Sequence, residues 1–96
     1  MELNDAKKLA LTFINNDFNL DETNDTVQII DEKTIPIGSG WLFFYNSQKF
    51  LTDGDFEKML IGNLPVYVNS KNKTISYIAI KTTLQDAIAT LKISSN

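Results

Sequence analysis

The chain is predicted to be a single α+β domain: a four-stranded antiparallel sheet with an N-terminal and a C-terminal helix packed on one face. Three observations predict it. Apolar residues recur at helical spacing near both ends of the chain. The stretch between them carries short β-rich runs bounded by turn residues. The 96 residues are the size of one domain, and the 43% hydrophobic content suffices for one core.

Ala6, Leu9, Ala10, Phe13 and Ile14 make one apolar stripe, so the first helix is read as residues 5–15. Asn4 stands where an N-cap belongs, and Asp5 suits the positive end of the helix dipole. Asn15, Asn16 and Asp17 are expected to stop the helix. The acidic stretch 17–25 reads as a loop with only Phe18 and Leu20 to tack it down. Val27 to Asp31 reads as a strand. Ile35-Pro36-Ile37 is extended, but Pro36 has no amide donor and belongs at an edge or in a loop.

Gly38-Ser39-Gly40 is a turn, and Trp41 to Tyr45 is the central strand. Trp41, Phe43 and Tyr45 should point one way, Leu42 and Phe44 the other. An apolar run without alternation requires cover on at least one face. Thr52 to Asp55 is a turn, with Asp55 capping a short helix that contains Phe56, Met59 and Leu60. Gly62 suits positive φ. Residues 65–69 and 74–79 form a hairpin across Ser70 to Lys73. Leu84, Ala87, Ile88 and Leu91 mark the last helix, with Thr82 and Gln85 at capping-box spacing. The tail 94–96 is read as frayed.

Composition excludes most chemistry. Without cysteine there is no disulfide, no thiolate metal site and no thiol nucleophile. Without histidine the commonest general base and metal ligand are missing. All nine cations are lysine, so no guanidinium clamp on phosphate can be built. These gaps point away from an enzyme. The remaining catalytic possibility is a small hydrolase using carboxylates alone, with Asp53 and Asp55 as the pair. In a turn such residues more often cap the next helix.

Charge is unevenly placed. Residues 1–32 hold eight acids and two lysines, a balance of −6, while residues 33–96 hold four acids and seven lysines, a balance of +3. An acidic protein without a basic stripe is a poor match for nucleic acid. The acids Asp17, Asp21, Glu22, Asp25, Asp31 and Glu32 can instead steer a basic protein partner, with Phe18 as an apolar anchor. The bland alternative is a solvated loop.

Asp17, Asn19 and Asp21 resemble the opening of a calcium loop. Its sixth and twelfth positions would be Glu22 and Gln28 instead of the required glycine and glutamate, so no metal site is expected. The Gly38-Ser39-Gly40 turn precedes a strand, so it is no phosphate cradle, and no cofactor is expected. The central aromatics lack the basic neighbours of a nucleic-acid stacking platform. Met1 to Asp5 has no basic region and no apolar run, so a signal peptide is not expected. The longest apolar run is far short of the roughly 20 residues that span a bilayer. A cytoplasmic protein without membrane contact is the expectation.

Several fragments fall in a familiar order: Gly40-Trp41, Phe43, Leu51, Gly54-Asp55, Leu60, Gly62-Asn63, Pro65 and Val68, then a hairpin and a terminal amphipathic helix. Together they resemble the immunity protein 35 family, the YrhB-like domain of bacteria. The motif covers residues 40–68, and the flanking elements agree in type. The resemblance implies an antidote in a bacterial polymorphic-toxin system, one that binds a cognate toxin and has no chemistry of its own. It implies that the motif residues define the fold and leave toxin contact to other positions. Lys71-Asn72-Lys73 departs from the aspartate-glycine hairpin common in the family, and the acidic stretch 17–25 has no motif counterpart. The other reading of the chain is a free-standing interaction or chaperone-like domain unlinked to a toxin. Either form is compatible with a monomer or a homodimer.

Overall fold

In a computed structural model, which describes residues 1–18, 25–79 and 83–95, the first stripe forms helix α1, Leu3–Phe18. It starts and ends beyond the expected bounds. At the start, Asn4 lies inside the helix and is not its cap; Asp5, in the first turn, accepts the Glu2 amide on its carboxylate (3.1 Å). Near the end, Asn15 does not stop the helix because its polar groups are fully engaged. Its amide donates to the Leu11 carbonyl (2.9 Å). Its side-chain oxygen accepts from the Thr26 hydroxyl (3.0 Å) and the Val27 amide (2.9 Å). An asparagine so occupied no longer competes with the helical backbone.

Among the described residues, six strands follow in two sheets. β1 (Val27–Ile29) pairs with β4 (Tyr45–Ser47) as an antiparallel ribbon. The larger sheet has the order β2-β3-β5-β6, from β2 (Ile35–Ile37), β3 (Gly40–Phe43), β5 (Val66–Asn69) and β6 (Thr74–Tyr77). All its pairings are antiparallel. Pro36 lies at an edge, as its missing donor requires.

The expected central strand is real but divided. The chain changes partners at Phe44, whose carbonyl accepts the Ile30 amide (2.8 Å). Residues before it pair within the large sheet and residues after it with β1. The chain then turns into helix α2, Gln48–Asp53, capped by the Ser47 hydroxyl on the Phe50 amide (3.1 Å). Gly54 closes α2 in the left-handed conformation. Asp55 caps a single 3₁₀ turn over Phe56–Lys58.

Helix α3, Leu84–Ser95, ends the chain. The Thr83 hydroxyl accepts the Asp86 amide (3.1 Å), one residue beyond the expected pair; Thr82 and Asn96 lie outside the described residues.

The α+β class and the four-stranded antiparallel sheet stand as expected. The packing of both helices on one face does not. In β3 and β5, Leu42 lies opposite Tyr67 and Phe43 opposite Val66, so the two pairs project from opposite sides. Ala6, Ala10 and Ile14 of α1 cluster with Phe43, Val66 and Val68. Leu91 and Ile88 of α3 cluster with Ile37, Leu42 and Tyr67. The sheet is therefore sandwiched. The reason lies in the strand itself, which is apolar on both sides. One-sided cover would leave Leu42 and Tyr67 in water, at about 1.5–3 kcal/mol for each large apolar side chain.

Candidate functional site

The loop between α2 and β5 carries the two most exposed large apolar side chains among the described residues, Ile61 at 84% and Phe56 at 75%, with Leu64 at 41% beside them. This loop is not loose. Asn46 holds it at Leu60, accepting the Leu60 amide (2.8 Å) and donating to the Leu60 carbonyl (3.3 Å). Asn63 holds it again, donating to the Tyr45 carbonyl (2.9 Å). Between these two ties stand Ile61 and Gly62, the latter at φ 75°. Leu60 packs inward against the α1 side of the core, so Ile61 is turned outward. Phe56 rests edge-on against Phe50 at 5.6 Å. The result is a rigid apolar ridge, a form that binds at low entropic cost.

Beside the ridge lies a shallow cleft. Asn63 and Pro65 form one wall, Ile30 and Lys33 the other, with Phe44, Tyr45 and Asn46 between them. Lys33 ends the 3₁₀ turn Asp31–Lys33, whose Asp31 and Glu32 are both exposed next to that wall in the chain. The cleft is therefore flanked by the loop that carries the ridge on one side and by this acidic turn on the other.

Of the acids expected to face a partner, those in the described residues lie apart. Asp17 ends α1, where its carboxylate accepts the Tyr77 hydroxyl (2.7 Å). Asp31 pairs with Lys7 at 2.7 Å. Lys7 and Asp17 are separated by about 15 Å of helix rise, so these acids occupy opposite ends of α1. Asp21 and Glu22 lie outside the described residues. Phe18 packs edge-on against Tyr45 at 5.9 Å, half-buried on the core.

Asp25 is only 8% exposed, and its carboxylate faces inward. One oxygen accepts the amides of Thr26 (2.8 Å) and Lys49 (3.2 Å). It thereby reaches the first turn of α2 from 24 residues away in sequence. Burial pushes its pKa up. The Thr26 and Lys49 amides, the Ser47 hydroxyl and the Lys49 charge outweigh burial and hold it below the ordinary 3.8. The native state therefore binds this proton more weakly than the unfolded chain. The stability it contributes is fully present above pH 3.8 and is lost as pH falls through the lower native value. Asp25→Asn is expected to cost about 1–2 kcal/mol at neutral pH. It should also flatten the acid limb of a melting-temperature profile below pH 4 (about the ordinary carboxyl value). An unchanged acid limb would count against this account.

The two tyrosines near Asp17 are also perturbed. Burial, reinforced by the Asp17 charge, pushes the Tyr45 phenol up to about 12. Its hydroxyl is buried without a hydrogen-bond partner among the described residues. Burial, then the bond to Asp17, pushes Tyr77 far above its ordinary value. Neither phenol ionises near neutral pH, so neither is a candidate base.

Asp53 and Asp55 do not form a carboxylate pair poised for chemistry. Asp55 accepts the Glu57 amide (3.2 Å), and Asp53 accepts the Thr52 hydroxyl (3.3 Å). Both serve the local turn. Among the described residues no cluster of acids has the geometry of a metal site, and no helix is long and apolar enough to cross a membrane.

Sequence reasoning missed the ridge. The signal was present: Ile61 and Leu64 are large apolar residues outside every helical or alternating stripe. Such residues have no assigned place in the core.

No curated protein and no solved structure is significantly similar to the chain. The family model described as immunity protein 35 matches residues 4–87, nearly the whole chain, from α1 into the first turn of α3. It takes in both sheets and every structural residue of the 40–68 motif. The chain belongs to the immunity protein 35 family.

Proposed function

We propose that this protein neutralises a cognate bacterial toxin by binding it in the cytoplasm, without catalysing a reaction. The family supports the toxin as partner, and composition supports the absence of catalysis, since histidine, cysteine and arginine are all missing. The observation that carries the mode of binding is Ile61, 84% exposed on a loop tied at Leu60 and Asn63. Exposing so large an apolar group on a rigid loop is explained by a partner that covers it.

On this reading Ile61 and Leu64 enter an apolar recess on the toxin. Asp31 and Glu32, across the cleft, meet basic groups at its rim. Asp17, Asp21 and Glu22 add longer-range attraction, which acts on association rate more than on affinity. Asp25 and Phe18 act indirectly, by holding α2 and α1 in place.

The test is co-expression with the protein encoded directly upstream of this chain. Growth arrest by that protein should be relieved, and the two should co-purify. Ile61→Asp should weaken the complex about thirtyfold or more, as for a hot-spot residue. Charge neutralisation of Asp31 and Glu32 should slow association and flatten its salt dependence. Protection by Ile61→Asp at wild-type affinity would place the contact elsewhere. Failure of the wild-type protein to bind or protect would remove the toxin reading itself.

A further inference from the structure

The four-stranded sheet has two edges, and they differ. β2 carries Pro36 and lies under α3. β6, Thr74-Ile75-Ser76-Tyr77, has no proline and no charge, the two features that usually discourage strand addition. The backbone groups left unused by its pairing with β5 follow from the ladder. The Ile78 amide donates to the Pro65 carbonyl (2.9 Å), so Thr74, Ser76 and Ile78 face β5. The amides and carbonyls of Ile75 and Tyr77 consequently point away from the sheet. The complement to such a row is another extended strand.

Charge selects which strand. The hairpin end of β6 carries Lys71 and Lys73, both exposed. The other end carries Asp17, hydrogen-bonded to Tyr77. The edge thus has a basic end and an acidic end, with neutral residues between. A second copy of β6 laid antiparallel across a twofold axis sets each basic end beside the other copy's acidic end. A basic toxin strand would instead meet Lys71 and Lys73.

We infer that β6 pairs with β6 of a second copy, joining two four-stranded sheets into one across a twofold axis at Ser76. Ile75 of each copy then lies opposite Tyr77 of the other and exchanges two backbone hydrogen bonds with it. The arrangement is isologous and closed, so it stops at a dimer.

Sedimentation equilibrium of the wild-type protein tests it. The expected mass is that of two 10.8 kDa chains, falling to one on dilution. Ser76→Lys places like charges opposite each other at the axis and should raise the dimer dissociation constant by about tenfold or more. Because Ser76 is exposed, its circular dichroism melt should survive the change. Independently of any variant, the Ile75 and Tyr77 amides should be protected from hydrogen exchange at high concentration and lose that protection on dilution. A wild-type monomer at every concentration overturns the inference. So does a dimer that Ser76→Lys leaves intact, or exchange at Ile75 and Tyr77 that ignores concentration.

Discussion

Gly40→Ala is expected to destabilise the domain by about 3 kcal/mol or more, a large share of the 5–15 kcal/mol typical of such a fold. Gly40 begins β3 and lies opposite Asn69 on β5. A Cβ added there would sit 2.0 Å from the Val68 carbonyl oxygen and 2.9 Å from the Asn69 Cα. Both obstacles are backbone, so no side chain can swing aside. The strands must separate at the point where Ser39 also binds β5's exit, its carbonyl accepting the Ser70 amide (3.0 Å). Urea denaturation followed by Trp41 fluorescence measures the loss. Gly54→Ala is the control: its site is open, and only its φ of 71° is at stake. It should cost about 1 kcal/mol. Equal effects at the two positions would show that β3 and β5 are less tightly apposed than the structure has them.

Phe43→Ala is expected to cost about 3–5 kcal/mol. Phe43 is fully buried on the central strand, among Ala10, Ile14, Val66 and Val68. The alanines of α1 allow the helix backbone close to the sheet, so the space vacated by the ring cannot be refilled by a flexible neighbour. A shift in the denaturation midpoint with an unchanged slope would report a cavity in an intact fold. The same truncation at Trp41 should cost less. Trp41 is half-buried at the border of the cluster, although it is the larger side chain and the more prominent in the sequence. A greater loss at Trp41 than at Phe43 would contradict this ranking.

The regular parts of the fold were legible because their signals are periodic. The apolar stripes of α1 and α3 and the 65–79 hairpin rest on spacing, and Trp41 to Tyr45 on its unbroken apolar run. What was not legible depends on partners distant in sequence. Asn15 looks like a helix stop until Thr26 and Val27 occupy it. Residues 40–46 look like one strand, because periodicity does not register a change of neighbour at Phe44. The opposite placement of the helices was hinted at by a strand apolar on both sides, yet one layer appeared the simpler arrangement. At the site, charge was legible and orientation was not. Asp25 belongs to the acidic run in sequence, but its carboxylate serves Lys49 and Thr26. Ile61 carried no periodic signal, so only the structure distinguishes it from Leu60, one residue earlier and turned inward.

The reach of Asp25 to α2 also bears on the order in which the domain assembles. A six-residue helix does not hold together alone in water. Beyond the local Ser47 cap, the Gln48 and Lys49 amides of α2 find their partners only when the 25–27 segment has docked beside β4, so α2 follows tertiary closure instead of guiding it. Elements that form last through a few ties are the first to open within the native state. The amides of α2 should therefore exchange through a local opening well below the energy of global unfolding, while the Ile61 loop keeps its separate ties to Asn46 and Tyr45 on β4.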